Sequence, residues 1–213
     1  EHAARWFDMK RVAVVGYPVR RELVGGSRED SRRLMGIPAD RLVLLAFGGS
    51  GGSRSINRAL VAALPRLRQS AGLMVLHITG TARGPEYDAV ADTDARLAAA
   101  GIGSGTSSWY RRFDYLNDIQ HAYRAADLVV CRGGAGTVTE VGVCGLPAVV
   151  IPLPTAADDH QAMNARELER AGAARVVSER ACWEGGRVLS GVAPDEPAET
   201  VLKLPADPQQ RGR

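Results

Sequence analysis

Three observations in the 213-residue sequence predict an α/β fold, a Rossmann-like doubly wound parallel sheet. Short, continuous apolar runs alternate with longer segments of helical spacing. Those runs lack the apolar/polar alternation of a half-exposed sheet, so helices should cover both faces. Glycine-rich loops follow two of the runs, at the strand ends where this architecture places its ligands.

The elements follow in order. "RLVLLAF" (41–47) reads as the first strand, and "SINRALVAALPRLRQS" (55–70) as the helix after it. "LMVLHITG" (73–80) is a second strand, followed by a helical stretch near 85–100. A weaker strand is expected around 106–110 and a short helix near 118–126. "DLVVC" (127–131), "AVVIPL" (148–153) and "ARVVSE" (174–179) supply three more strands, with helices near 137–144 and 159–171 between them. The loops at 48–54, 115–118, 132–137 and 154–161 should therefore line one edge of the sheet.

Residues 1–36 differ. They are basic and broken, with one short strand "RVAVV" (11–15), then "GYPVR" and the helical "SREDSRRLMG" (27–36). They read as an interdomain junction, 37–180 as the Rossmann-like domain, and 181–213 as a truncated or irregular tail. The chain starts at Glu1 rather than Met and ends in the polar "PADPQQRGR", so it reads as a piece of a longer protein.

With 45% hydrophobic and 24% charged residues the composition is that of a soluble globular domain. A net charge of +3 tolerates anionic ligands but is far from a nucleic-acid-binding stripe. Three cysteines, Cys131, Cys144 and Cys182, lack metal-ligand spacing and read as reduced thiols. No run approaches the length of a membrane span.

"FGGSGGSRS" (47–55) has no Walker lysine. It also fails as a dinucleotide fingerprint. Arg54 stands at the third glycine position, and the second strand ends in Thr79-Gly80 rather than an acid. Two readings stay open: a glycine-lined anion loop at a helix N-terminus, or a tight turn without ligand. "RGGAGTVTEVGVCGLP" (132–147) repeats the design. Thr137 and Glu140 have capping-box spacing, while a carboxylate in a first helical turn also suits a ribose diol. Arg132 is either a surface cation or a phosphate partner. In "PTAADDHQAMNA", Gln161 and Asn164 share a helical face and suit sugar hydroxyls. Asp158, Asp159 and His160 read as helix capping rather than as a metal site, and His160 has no triad partner.

Together "FGGSGGSRSIN", "YLNDIQHAYRAADLVVCRGGAGTVTEVGVCGLPAVVIPLP" and "DDHQAMNARELERAGAA" resemble the C-terminal half of the MurG-type glycosyltransferases, and "GYPVR" resembles the segment before that half. Those peptidoglycan-synthesis enzymes transfer N-acetylglucosamine, with inversion, from UDP-N-acetylglucosamine to the lipid-linked acceptor lipid I, giving lipid II. The resemblance implies the C-terminal domain of a GT-B fold, the half that holds the nucleotide-sugar. It implies that Arg20 and Ser50 contact the diphosphate and that Leu116 offers backbone to the uracil. Gly134, Ala135, Gly136 and Thr137 would hold phosphate, Glu140 the ribose, and His160, Gln161 and Asn164 the sugar. No metal, cofactor or nucleic acid is implied. The general base is expected in the absent acceptor half, so the catalytic residue is unknown and the fragment alone should not complete transfer. That half would also carry peripheral attachment to the cytoplasmic face of the plasma membrane. Tyr17, Gly136 and His160 depart from the family pattern. A donor subunit of another lipid glycosyltransferase and a UDP-N-acetylglucosamine epimerase-like domain remain as alternatives.

Overall fold

The computed structural model describes residues 8–13, 15–103, 107–184, 187–193 and 195–202. A short helix, α1 (Arg28–Leu34), leads into strand β1 (Leu42–Phe47). Helix α2 (Arg54–Leu67), β2 (Leu73–Ile78), α3 (Ala89–Ala99) and β3 (Tyr110–Phe113) follow. Then come α4 (Ile119–Ala125), β4 (Leu128–Cys131), α5 (Ala135–Val143), β5 (Ala148–Val150), α6 (His160–Arg170) and β6 (Ala174–Val176). The strands form one sheet in the order β3-β2-β1-β4-β5-β6, parallel throughout. The order reverses between β1 and β4, so the loops leaving these neighbouring strands flank the switch point where such folds bind ligands.

The continuous apolar runs have a direct cause. On β1, Leu44 and Ala46 pack with Ile56, Leu60 and Leu64 of α2. Their neighbours Val43, Leu45 and Phe47 face the other way, among Tyr123 of α4, Val141 of α5 and Ala165 of α6. Both faces are thus buried, and each fully buried leucine contributes about 1.5–3 kcal/mol. Side-chain caps fix several helix starts. Ser27 accepts from Asp30 N (3.1 Å), Ser53 from Ile56 N (3.3 Å), and Asp88 from Val90 N and Ala91 N (3.0 and 2.9 Å).

Two buried polar centres tie the layers together. Asp127, before β4, accepts from Val43 N (2.8 Å), Arg32 (3.0 Å) and Arg28 (2.6 Å), which fastens α1 to the amino-terminal ends of the strands. His77 on β2 lies between Tyr110 Oη (3.0 Å) and Asn57 Oδ1 (3.1 Å). Asn57 Nδ2 donates to the Thr79 carbonyl (2.8 Å), so its Oδ1 faces the histidine and Nε2 must carry the ring proton. Burial first, and the Arg112 charge second, lower the His77 pKa to about 3.

Several expectations shift. Residues 11–15 form no strand among the described residues: 9–11 make a 3-10 turn, residue 14 lies outside the description, and Val15 is 88% exposed. The weak strand expected at 106–110 begins only at Tyr110, and Thr106 lies outside the described residues. Its arginines disguise it: on this edge strand Arg111 leaves the sheet and donates to the carbonyls of Met35 and Gly36. Helix α5 begins two residues earlier than its pattern suggested, and β5 stops two residues before Pro152. The irregular tail gives way to an antiparallel hairpin, β7 (Arg180–Glu184) and β8 (Arg187–Gly191), and a helix, α7 (Asp195–Leu202). Val192 and Ala198 are buried in the α2 core cluster, so packing continues well past 180. Residues 203–213 lie outside the description.

Candidate functional site

The glycine loops pack on their own chain before they meet anything else. Gly52 has φ 82°, and a Cβ there would stand 1.9 Å from the Thr79 carbonyl oxygen; Gly80 meets Gly52 in return. Thr81 N and Ala82 N donate to Ser50 O and Gly51 O (both 3.1 Å), so the loops after β1 and β2 are interlocked. Gly133 is equally constrained, since a Cβ would lie 2.3 Å from the Gln161 carbonyl oxygen at the start of α6. Gly49 and Gly134 are open by contrast: no heavy atom lies within 4 Å of a Cβ at Gly49, and only Thr137 Oγ1, at 4.0 Å, at Gly134. The tight-turn reading therefore explains Gly52, Gly80 and Gly133. It does not explain Gly134, which caps α5 without a side chain and leaves the first amides of the helix without an intrahelical acceptor.

Beside those amides lies a cleft of about 200 Å³. Phe47, Ile78, Leu116 and Ile119 give it an apolar floor, and Arg20, Ser50, Thr137 and Glu140 a polar rim. Glu140, with its side chain 20% exposed, is held at both oxygens. Oε1 accepts from Arg20 (3.0 Å), and Oε2 from the hydroxyl of Tyr123 (3.0 Å). The capping box is thereby corrected: Thr137 is the third residue of α5, Gly134 is its cap, and Glu140 turns toward the cleft. Five of the twelve expected contacts, Arg20, Ser50, Leu116, Thr137 and Glu140, converge on this cleft. Gly134, Ala135 and Gly136 form the helix start next to it, with Gly136 under the ring of Tyr17 (3.4 Å from the Tyr17 oxygen to a Cβ position).

Arg132 requires a correction. Its guanidinium is committed to the carbonyls of Ile151 and Pro152 (3.1 and 3.2 Å), to Ser55 Oγ (2.9 Å) and to Glu179, with only 12% of the side chain exposed. It is neither a surface cation nor positioned at the cleft. Gln161 and Asn164 also serve the chain: Gln161 Oε1 accepts from Leu153 N (3.0 Å), and Asn164 Nδ2 donates to Gly133 O (3.0 Å). Each keeps one polar end unengaged among the described residues. His160 is exposed and faces the Ala157 carbonyl (2.6 Å). Asp158 and Asp159 adopt left-handed backbone (φ 50° and 54°) and neither side chain caps α6, contrary to the capping expectation. Tyr123 went unnoticed in the sequence because a lone tyrosine in a helix of mixed polarity, IQHAYRA, carries no motif.

A larger concavity of about 590 Å³ lies at the opposite, amino-terminal ends of the strands. Three of its four arginines, Arg28, Arg32 and Arg124, are spent on Asp127 and on backbone carbonyls. The switch-point cleft is the better candidate.

Residues 43–194 match the family model for the glycosyltransferase family 28 C-terminal domain. The chain belongs to that family. Among curated relatives of this family 28 domain, the UDP-N-acetylglucosamine--N-acetylmuramyl-(pentapeptide) pyrophosphoryl-undecaprenol N-acetylglucosamine transferase of Desulforudis audaxviator is 37% identical over 193 residues, 91% of this chain and 50% of that protein. The enzyme of the same name from Paenarthrobacter aurescens is 41% identical over 170 residues, 78% of this chain and 42% of that protein. Among solved structures, Acinetobacter baumannii MurG is 32% identical with a TM-score of 0.54, covering 76% of this chain and 44% of that one. Anabaena Alr3699/HepE in complex with UDP and glucose, 16% identical with a TM-score of 0.59, covers 92% of this chain and 47% of its own and shares the fold. The family 28 chain spans about half the length of the curated relatives it matches.

Proposed function

We propose that this domain is the donor-binding half of a glycosyltransferase that moves N-acetylglucosamine from UDP-N-acetylglucosamine to lipid I, forming lipid II. The observation that carries the reading is the Glu140 carboxylate at the rim of a switch-point cleft, one turn along α5 from open amides. Those amides and the helix dipole favour a diphosphate at the α5 start, and Arg20 adds a half-exposed cation at the rim. The apolar floor suits the uracil beside Leu116. The ribose diol donates to Glu140, and Gln161 and Asn164 face the sugar side from α6.

In transfer, the acceptor hydroxyl forms a bond to the anomeric carbon while the bond to UDP breaks with inversion. The charge that develops on the departing phosphate is stabilised by the α5 amides and Arg20. The proton leaves the acceptor to a base supplied by the other half of the protein. On this reading the complete protein works at the cytoplasmic face of the plasma membrane, attached peripherally through that half. Among the described residues no helix is long and apolar enough to cross a membrane.

Glu140→Gln tests the reading. It keeps shape but removes charge, and a charge-assisted hydrogen bond contributes about 1.5–3 kcal/mol. UDP affinity measured by calorimetry should fall about tenfold or more. The melting temperature should barely move, because the pair with the half-exposed Arg20 contributes little to stability and the amide oxygen of the replacement still accepts from Tyr123. Unchanged affinity with a lowered melting temperature would make Glu140 a structural residue.

A further inference from the structure

We infer that Tyr123 is a positioning residue for the nucleotide ribose: it fixes one oxygen of the Glu140 carboxylate so that only the other exchanges partners. The inference rests on the reading of Glu140 as the ribose acceptor. Tyr123 is fully buried on α4, with its ring edge-on to Phe47 at 5.8 Å between centroids. Its hydroxyl reaches Glu140 Oε2 at 3.0 Å. Burial, and secondarily the Glu140 charge, push the phenol pKa up, so it remains a hydrogen-bond donor at every working pH.

The two partners of Glu140 are unequal. Tyr123 is locked in the core between the sheet and α5, whereas the Arg20 side chain is 51% exposed and comes from an extended segment outside the sheet. An exposed ion pair is weak and easily exchanged, while a buried O–H···O⁻ bond is neither screened nor displaced by water. A glutamate on a helix otherwise samples many rotamers. The tyrosine removes that freedom and leaves Oε1 at the cleft. Arg20 donates to Oε1. A ribose diol takes that oxygen when nucleotide binds, and Arg20 is released toward the diphosphate. Pre-organisation of this kind raises affinity without adding a direct contact.

Tyr123→Phe keeps the ring and removes only the hydroxyl. The test measures calorimetric affinity of the 213-residue chain for UDP and for 2′,3′-dideoxyuridine diphosphate, in wild type, Tyr123→Phe and Glu140→Gln. The expected result is a loss of roughly fivefold to tenfold for UDP in Tyr123→Phe, with dideoxy-nucleotide affinity unchanged. Equal losses for both nucleotides would mean that Tyr123 only supports packing, and no loss for either would likewise overturn the inference. If Glu140→Gln also leaves UDP affinity intact, the ribose reading itself fails. If Glu140→Gln weakens UDP and Tyr123→Phe does not, the positioning role alone fails. Should Tyr123→Phe not fold, the double variant Tyr123→Phe/Glu140→Gln, which strands no carboxylate, is compared with Glu140→Gln. Equal UDP affinities support positioning, and a further loss contradicts it.

Discussion

Truncating Arg132 separates a scaffold residue from a ligand, because its place in the glycine motif suggested a phosphate contact and its geometry gives it another task. The Glu179 side chain is only 2% exposed and accepts from Arg132, Ser55 and Ser190, which joins the ends of β4 and β5 to the start of α2 and to β8. Arg132→Ala leaves that carboxylate with two serine hydroxyls but no counter-charge, and frees the Ile151 and Pro152 carbonyls. Removing one partner of a buried ion pair costs about 3–5 kcal/mol. For a chain of this size that is a drop of roughly 6–20 °C in melting temperature. Circular dichroism melts measure it, with calorimetry for UDP run below the lowered transition. Burial raises the Glu179 pKa, but hydrogen bonds from the two serines and the Arg132 charge outweigh it, and the net shift is downward. Its contribution is therefore present above the unfolded carboxylate range and lost as pH falls through the folded value. That acid-side loss should be shallower in Arg132→Ala. An unchanged melting temperature with abolished UDP binding would refute this reasoning and restore Arg132 as a phosphate ligand.

His77 makes stability pH-dependent: its folded pKa of about 3 lies below the unfolded value, so stability falls as pH drops through the unfolded histidine range toward 3. By pH 5 the loss relative to pH 8 should reach about 2 kcal/mol, read from urea transitions at both pH values. His77→Gln should flatten this part of the profile, and an equally steep profile in the variant would contradict the assignment. Gly49→Ala should cost only the left-handed backbone penalty of roughly 1–2 kcal/mol, since the position is open. Gly52→Ala must also displace the Thr79 carbonyl and should cost clearly more; equal denaturant midpoints would contradict the interlocked-loop account.

The sheet was readable because strands buried on both faces leave uninterrupted apolar runs, as "RLVLLAF" did for β1. Edge strand β3 was displaced because Arg111 and Arg112 obey neighbours in space, the α1–β1 connection among them, rather than the strand's own pattern. The hairpin β7–β8 was invisible for a similar reason: β8 packs against α2, a non-local fact. At the site, the glycine loop before α5 was legible from local spacing, but the capping box that the same spacing suggested does not form: Gly134 caps the helix, and Glu140 reaches Arg20 and Tyr123. The destinations of Arg132, Gln161 and Asn164 were not legible. A cation or amide near a glycine loop has the same sequence signature whether it binds a ligand or braces the loop. Glu179, 47 residues beyond Arg132, decides between the two. Tyr123 illustrates the same limit, since its partner lies on the next helix.

Calorimetric titration of the 213-residue chain with UDP, ADP and NAD tests the central claim most directly, that the cleft between the β1 loop and helix α5 is a uridine nucleotide site. The loop after β1 has no Walker lysine, β2 ends without an acid, and the floor of the cleft, Leu116 included, is apolar. UDP should therefore bind clearly tighter than either competitor. Binding of ADP or NAD as strong as that of UDP would contradict the account.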